Sequence, residues 1–150
     1  MKQRLFNTED KWSMTVVRVL LGLVIFPHGA QKLLGWFGGY GFEGTMHYFT
    51  ETVGLPWLLG FIVILLEFFG SLALIAGIGT RLVALAFIAL AAGIALSVHL
   101  PHGFFVNWSG KQSGEGFEFF ILWIALAIVL LLNGAGKYSV DKIIVNSDQH

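Results

Sequence analysis

The chain has no cysteine among its 150 residues. That excludes disulfides, haem attachment through thioethers, a thiol nucleophile and persulfide chemistry carried by the chain itself. Charge is scarce as well. Asp, Glu, Lys and Arg make up 12% of the sequence, about half the share of a soluble domain. Positive and negative residues balance at nine each, so a nucleic-acid role has no electrostatic support. What fills the sequence instead is apolar: 56% of residues are hydrophobic and the mean hydropathy is +0.77. Too little polar surface exists to cover a water-soluble particle of this size.

Four apolar stretches occupy about residues 12–34, 56–78, 81–100 and 117–132. Each approaches the ~20 residues that a helix needs to cross a bilayer. One transmembrane domain over 1–150 follows, an all-α integral membrane four-helix bundle with a glycine- and aromatic-rich outer loop. The start, MKQRLFNTEDKW, is basic and runs into a long apolar segment without an Ala-x-Ala-like cleavage site. It reads as a cytosolic tail feeding the first span rather than a signal peptide.

Local signals refine the picture. In the first span Arg18 is placed to snorkel toward headgroups, and Pro27 should bend the helix just before His28. Residues 35–55 hold Gly38, Gly39, Gly41 and Gly44 interleaved with Trp36, Phe37, Tyr40 and Phe42. This predicts a segment folded over the bundle mouth, followed by a short amphipathic helix with Thr45 as its cap. Pro56 suits the first turn of the second span. GIGTR makes spans 2 and 3 a tight hairpin, with Thr80 capping span 3 and Arg81 anchoring it. The fourth span is short, so its helix is expected to begin near Gly114 or Glu115. NGAG ends it, and the tail KYSVDKIIVNSDQH is polar enough to lie outside the membrane.

An even number of spans puts both termini on one side. That side carries Lys2, Arg4, Lys11, Arg18, Arg81, Lys137 and Lys142, seven of the nine basic residues, against Lys32 and Lys111 on the other. The positive-inside rule then sets both termini in the cytosol, with a bacterial-type plasma membrane as the expected location.

Ionisable groups inside hydrocarbon are costly and need a partner, a water path or an exit. His28, Gln31, Lys32, Glu67, His99 and Glu118 interrupt or edge the spans. His28, Gln31 and Lys32 share one helical face. Counted from each span's terminal end at about 1.5 Å per residue, Arg18 lies ~9 Å, Glu67 ~16 Å, His28 ~24 Å and His99 ~27 Å deep. Three functional readings compete. A quinone head group enters laterally, held by His28 or His99, covered by Trp36 and Phe37, with Glu67 or Glu118 relaying protons. Alternatively His28 and His99 ligate haem iron or a metal, although no close-spaced His motif supports this. In the third, the polar line conducts a proton or small solute. The bland alternative pairs each group structurally and leaves Lys32 as an interface anchor.

The stretch RVLLGLVIFPHGAQKLLGWFGGYG, Arg18 to Gly41, resembles the first signature of the DoxX family of small membrane proteins. The resemblance continues through Glu67, Gly70, Gly77, Thr80 and Arg81, through SVHLPHGFF with His99, Gly103 and Phe104, and into NGAGKYSVD, covering roughly residues 14–141. It implies a four-helix integral membrane protein. It also implies a quinone-linked redox role, since the family name comes from a subunit of a membrane thiosulfate:quinone oxidoreductase and other members are tied to thiol and oxidative-stress defence. Arg18, His28, Gln31, Lys32, Glu67, Arg81 and His99 are matching positions. With no thiol of its own, the chain would receive electrons from a sulfur compound or a redox partner protein. The leading expectation is a quinone-interacting redox subunit using Glu67, His28 and His99, with Gln31, Lys32, Trp36, Phe37 and Glu118 lining the head-group site. Its partners would be membrane lipid, a redox protein and further copies of itself. The runner-up is a non-catalytic membrane scaffold or a small-solute or proton transporter.

Overall fold

The computed structural model describes Phe6 and residues 8–147. Lys2 and Arg4, counted above for topology, lie outside them. Six helices are used below: α1 (Trp12–Leu34), α2 (Gly41–His47), α3 (Trp57–Ala76), α4 (Thr80–His102), α5 (Glu118–Asn133) and α6 (Val140–Ser147). No strand occurs among the described residues. The protein is an all-α membrane helical bundle. Helices α1, α3 and α4 are long and apolar enough to cross a bilayer, and α5 is a shorter apolar helix of 16 residues. We call the end of the bundle that carries the start of α1 and helix α6 the terminal face, and the opposite end the loop face.

Without water to drive helices together inside lipid, close packing has to do it, and small residues permit that. Gly22 and Gly29 sit where α1 crosses α3. A Cβ on Gly29 would lie 2.5–2.7 Å from the Phe68 and Glu67 backbone, and one on Gly22 would lie 2.7–2.8 Å from Ile75 and the Ser71 carbonyl. These contacts fix the antiparallel register: Gly29 is level with Phe68. In that register α1 runs about nine residues, or ~14 Å, further toward the terminal face than α3 does. On the other side of the bundle Phe87 of α4 meets Trp123 of α5 edge-on at 5.5 Å, and Ala84, Ala91, Ala127 and Leu130 complete a fully buried seam.

The terminal face is closed by two buried charges. Arg18 is 2% exposed and does not snorkel. Its guanidinium donates to the Ala135 carbonyl at 2.8 Å, to Leu74 at 2.8 Å, and to the carbonyls of Ile75 and Tyr138. The carbonyls at the C-terminal end of α3 have no intrahelical donor, so one planar cation with five donors serves several at once. Asp141 performs the reciprocal task. From the first turn of α6 its carboxylate accepts from the amides of Gly79 at 2.6 Å and Thr80 at 2.8 Å, capping α4. Thr80, expected in that role, makes no side-chain cap, and its buried hydroxyl has no hydrogen-bond partner among the described residues. The polar tail is therefore folded onto the bundle.

At the loop face the Gly-rich segment doubles back on the end of α1. A side chain at Gly39 would collide with the Gln31 backbone, so only glycine fits there. Helix α2 starts at Gly41, four residues earlier than expected, and Thr45 does not cap it. A π-helical turn, Tyr48–Thr52, leads on to α3. The second long loop is pinned by backbone bonds. The amides of Gly116, Phe117 and Glu118 reach the carbonyls of Phe105, Gly103 and Phe104 at 3.0–3.1 Å. Those bonds hold residues 116–117 in a loop and delay the start of α5 to Glu118, past the expected Gly114 or Glu115.

Candidate functional site: an ion pair behind a loop-face cavity

Glu67 is 2% exposed, and its Oε2 lies 2.5 Å from the Lys32 Nζ. The depth count from each span's own end put Glu67 nearer the terminal face than His28. The register above removes that offset, because α1 and α3 do not end at a common level. Helical side chains lean toward their own N-terminus. In antiparallel helices Lys32 therefore leans toward the terminal face and Glu67 toward the loop face, so they meet. Lys32 is thus more than an interface anchor: it spans the α1–α3 interface. Its side chain keeps 25% exposure and borders a cavity.

The cavity has a volume of about 250 Å³ and is lined by Gln31, Lys32, Gly39, Tyr40, Thr45 and Tyr48 among others. Tyr40, Thr45 and Tyr48 were not singled out as site residues from the sequence. The readable signal was the glycine cluster at 38–41, which lets the chain turn back over Gln31 and bring these hydroxyls to the end of α1. Gln31 Nε2 also donates a long bond, 3.4 Å, to the Phe37 carbonyl. Phe37 itself holds a left-handed φ of 54°, uncommon for a side-chain-bearing residue. Such conformations persist only where the surroundings impose them.

Helix α3 is not regular around the acid. Leu66–Gly70 forms a single π-helical turn containing Glu67, and Ala95–His99 forms another containing His99. One-turn π-bulges are frequent at functional sites, and here two of them carry intramembrane titratable groups.

The remaining candidates divide. His28 lies one turn before Lys32, exposed on the outside of the bundle, with its ring 6.5 Å from Phe119. Trp36 and Phe37 are exposed and meet each other edge-on at 6.3 Å, and neither they nor His28 is among the residues lining the cavity. His99 belongs to a second cluster: its Nδ1 is 2.8 Å from the Glu115 carbonyl and its ring is 4.6 Å from Phe120. Glu118 accepts from the Val106 amide at 2.9 Å, and Glu115 from Asn107 at 2.6 Å. Those groups hold the second loop. No cluster of three or more His, Asp or Glu suited to a metal ion occurs among the described residues.

Below the ion pair the α1–α3 interface is closed. Ile25, Ser71 and Leu74 are fully buried, and Gly22 packs on Ser71 and Ile75.

Comparison with known proteins agrees with this architecture. The DoxX family profile matches residues 13–100. Over 129 residues the chain is 27% identical to a Bacillus subtilis (strain 168) protein named "Putative oxidoreductase CatD", covering 86% of this chain and 84% of that one. Over 132 residues it is 31% identical to the "Inner membrane protein YqjF" of Escherichia coli (strain K12), covering 86% and 89%. No solved structure matches the chain. With a profile match over more than half its length, and two relatives aligned nearly end to end, this multi-pass membrane protein belongs to the DoxX family.

Proposed function

We propose that the protein is a membrane redox subunit that binds a quinone head group in the cavity beside Lys32 and Glu67. The observation that carries this reading is the ion pair itself: a buried carboxylate held by a partly exposed lysine that borders a mainly apolar cavity, with Gln31, Thr45 and two tyrosines among its lining residues. At about 250 Å³, the cavity is slightly below the ~300–1,000 Å³ of drug-sized ligand sites. It suits a single ring whose apolar tail stays in lipid. The name of the Bacillus relative supports an oxidoreductase class.

A quinone takes up two electrons and two protons to become a quinol. The electrons come from a reduced sulfur compound or a redox partner protein, because this chain has no thiol. Lys32 hydrogen-bonds the ring oxygen on which negative charge develops and donates the first proton to it; the Glu67 carboxylate takes up the second from water entering the cavity and passes it on, and water then reprotonates Lys32. Gln31 and the Tyr40 and Tyr48 hydroxyls orient the ring. The charge distribution supports cytosolic termini in a bacterial plasma membrane. Labelling of Lys111, but not Lys137, by an impermeant reagent on intact cells checks that orientation, and the reverse pattern overturns it.

A non-catalytic scaffold is the second reading, favoured by the way the same 2.5 Å contact fastens α1 to α3. Quinone binding and reduction by the purified protein in nanodiscs, with and without native partner proteins, separates the two. Saturable binding is expected for the unmodified chain, with affinity reduced at least tenfold by Lys32→Gln. Turnover is expected to be lost in Glu67→Gln at a normal protein level. Equal turnover in Glu67→Gln rejects its proton role. Absence of binding under all conditions leaves the scaffold.

A further inference from the structure

A second concavity lies at the terminal face, remote from the ion pair. It is an open groove of about 490 Å³ between the end of α3 and α6. Its lining combines apolar Ala76, Val140 and Ile143 with polar Lys137, Lys142 and Asn146. The groove is built on the best-fastened part of the molecule. Asp141 ties α6 to α4, and the Asp141 amide donates to the Gly77 carbonyl at 2.9 Å. Ser139 accepts from the Lys142 amide at 3.2 Å and fixes the first turn of α6.

Three observations say what fills it. The groove sits where the spans end, so its neighbour is the headgroup layer of the bilayer. Trp12 and Tyr138 mark that level: both are exposed, and they meet edge-on at 5.0 Å. Exposed tryptophan and tyrosine side by side at a helix end are the amphipathic residues of a membrane interface. Helix α6 leaves Ile143 68% exposed among the described residues, an apolar group placed for acyl chains alongside. Finally, the charged residues of the lining are lysines. Lys137 lies over the Tyr138 ring at 5.8 Å and makes no ion-pair contact among the described residues, and Lys142 contacts Asp10 at 2.5 Å. The other nearby acids are occupied, Glu9 by Lys11 at 2.6 Å and Asp141 by the α4 amides.

We propose that this groove binds the headgroup of an anionic phospholipid, with the phosphate between Lys137 and Lys142 and an acyl chain along Ile143. Lys142 then exchanges between Asp10 and the phosphate, so Asp10 sets the affinity. Juxtamembrane lysines attract anionic lipid by an amount equivalent to about fivefold in affinity each.

The test uses the full chain, stripped of lipid in detergent and titrated with phosphatidylglycerol or phosphatidylcholine, with bound lipid counted by native mass spectrometry. The unmodified protein is expected to prefer phosphatidylglycerol by at least tenfold. The double variant Lys137→Gln, Lys142→Gln should lose that preference while retaining helix content by circular dichroism. Asp10→Asn should strengthen it severalfold. Glycerol phosphate, which has the headgroup chemistry without acyl chains, should compete weakly. Equal binding of both lipids, a preference unchanged in the double variant, or full competition by glycerol phosphate overturns the proposal.

Discussion

The two ends of this bundle treat charge differently. At the terminal face Arg18 and Asp141 are as buried as any apolar core residue, and each is surrounded by backbone partners: carbonyls for the cation, amides for the carboxylate. At the loop face Glu67 is equally buried but depends on one side chain, Lys32, and that side chain borders a cavity. A charge saturated by backbone cannot be moved without unfolding something. A charge resting on one flexible lysine can be re-partnered by a ligand. The first arrangement serves the fold, while the second is suited to chemistry.

Arg18→Met should break the terminal face and produce the largest effect. Hydrogen bonds from a charged donor are worth ~1.5–3 kcal/mol each and are not additive, so a loss of about 3 kcal/mol or more is expected. Thermal unfolding in detergent should show a large drop in Tm and reduced yield. Glu67→Gln, by contrast, keeps volume and hydrogen-bonding capacity and should shift Tm far less while abolishing turnover. If Arg18→Met is no less stable than Glu67→Gln, the contrast between the two ends is wrong.

Asp141→Ala comes next. Loss of a helix N-cap costs ~0.5–2 kcal/mol, with the upper part of that range expected because the site is buried. Asp141→Asn, which retains one good acceptor, should recover about half. Neither should alter quinone affinity at the other end. A changed affinity would show that the two faces are coupled.

Much of the fold was legible because hydropathy and length report spans directly. The stretch 12–34 coincides with α1, and the end of α5 moved by one residue to Asn133. The site was legible as a set of residue types but not as a geometry. Lys32 and Glu67 were both visible as intramembrane ionisable groups. Their pairing depended on register, which Gly22 and Gly29 set through close backbone approach and which no count from a helix end could supply. Asp141 was unreadable for another reason. It lies 61 residues from the amide it caps, and a local pattern of polar residues looks the same whether the tail is solvated or docked. Arg18 looked like an interface charge because its partners are carbonyls, which leave no trace in sequence.

The smallest expected effect concerns an ion pair at the edge of the well-fastened end. Asp10 lies against Lys142, and the hydrogen bond from that ammonium holds its carboxyl below the ordinary 3.8. A carboxyl depressed on folding contributes stability that is fully present above its unfolded value and is lost as pH falls through the folded one. The difference in Tm between the native chain and Asp10→Asn should therefore be small and positive at neutral pH, constant down to about pH 4, and shrinking below 3.8. It should also weaken with added salt, as expected for solvent-exposed partners. Arg18 should show little such salt dependence, because the carbonyls it bonds and the Asp141 carboxylate near it are all buried away from screening ions. A salt-sensitive Arg18→Met difference, or an Asp10→Asn difference that persists at low pH, would mean that the terminal face is held by its surface charges after all and not by the backbone contacts beneath them.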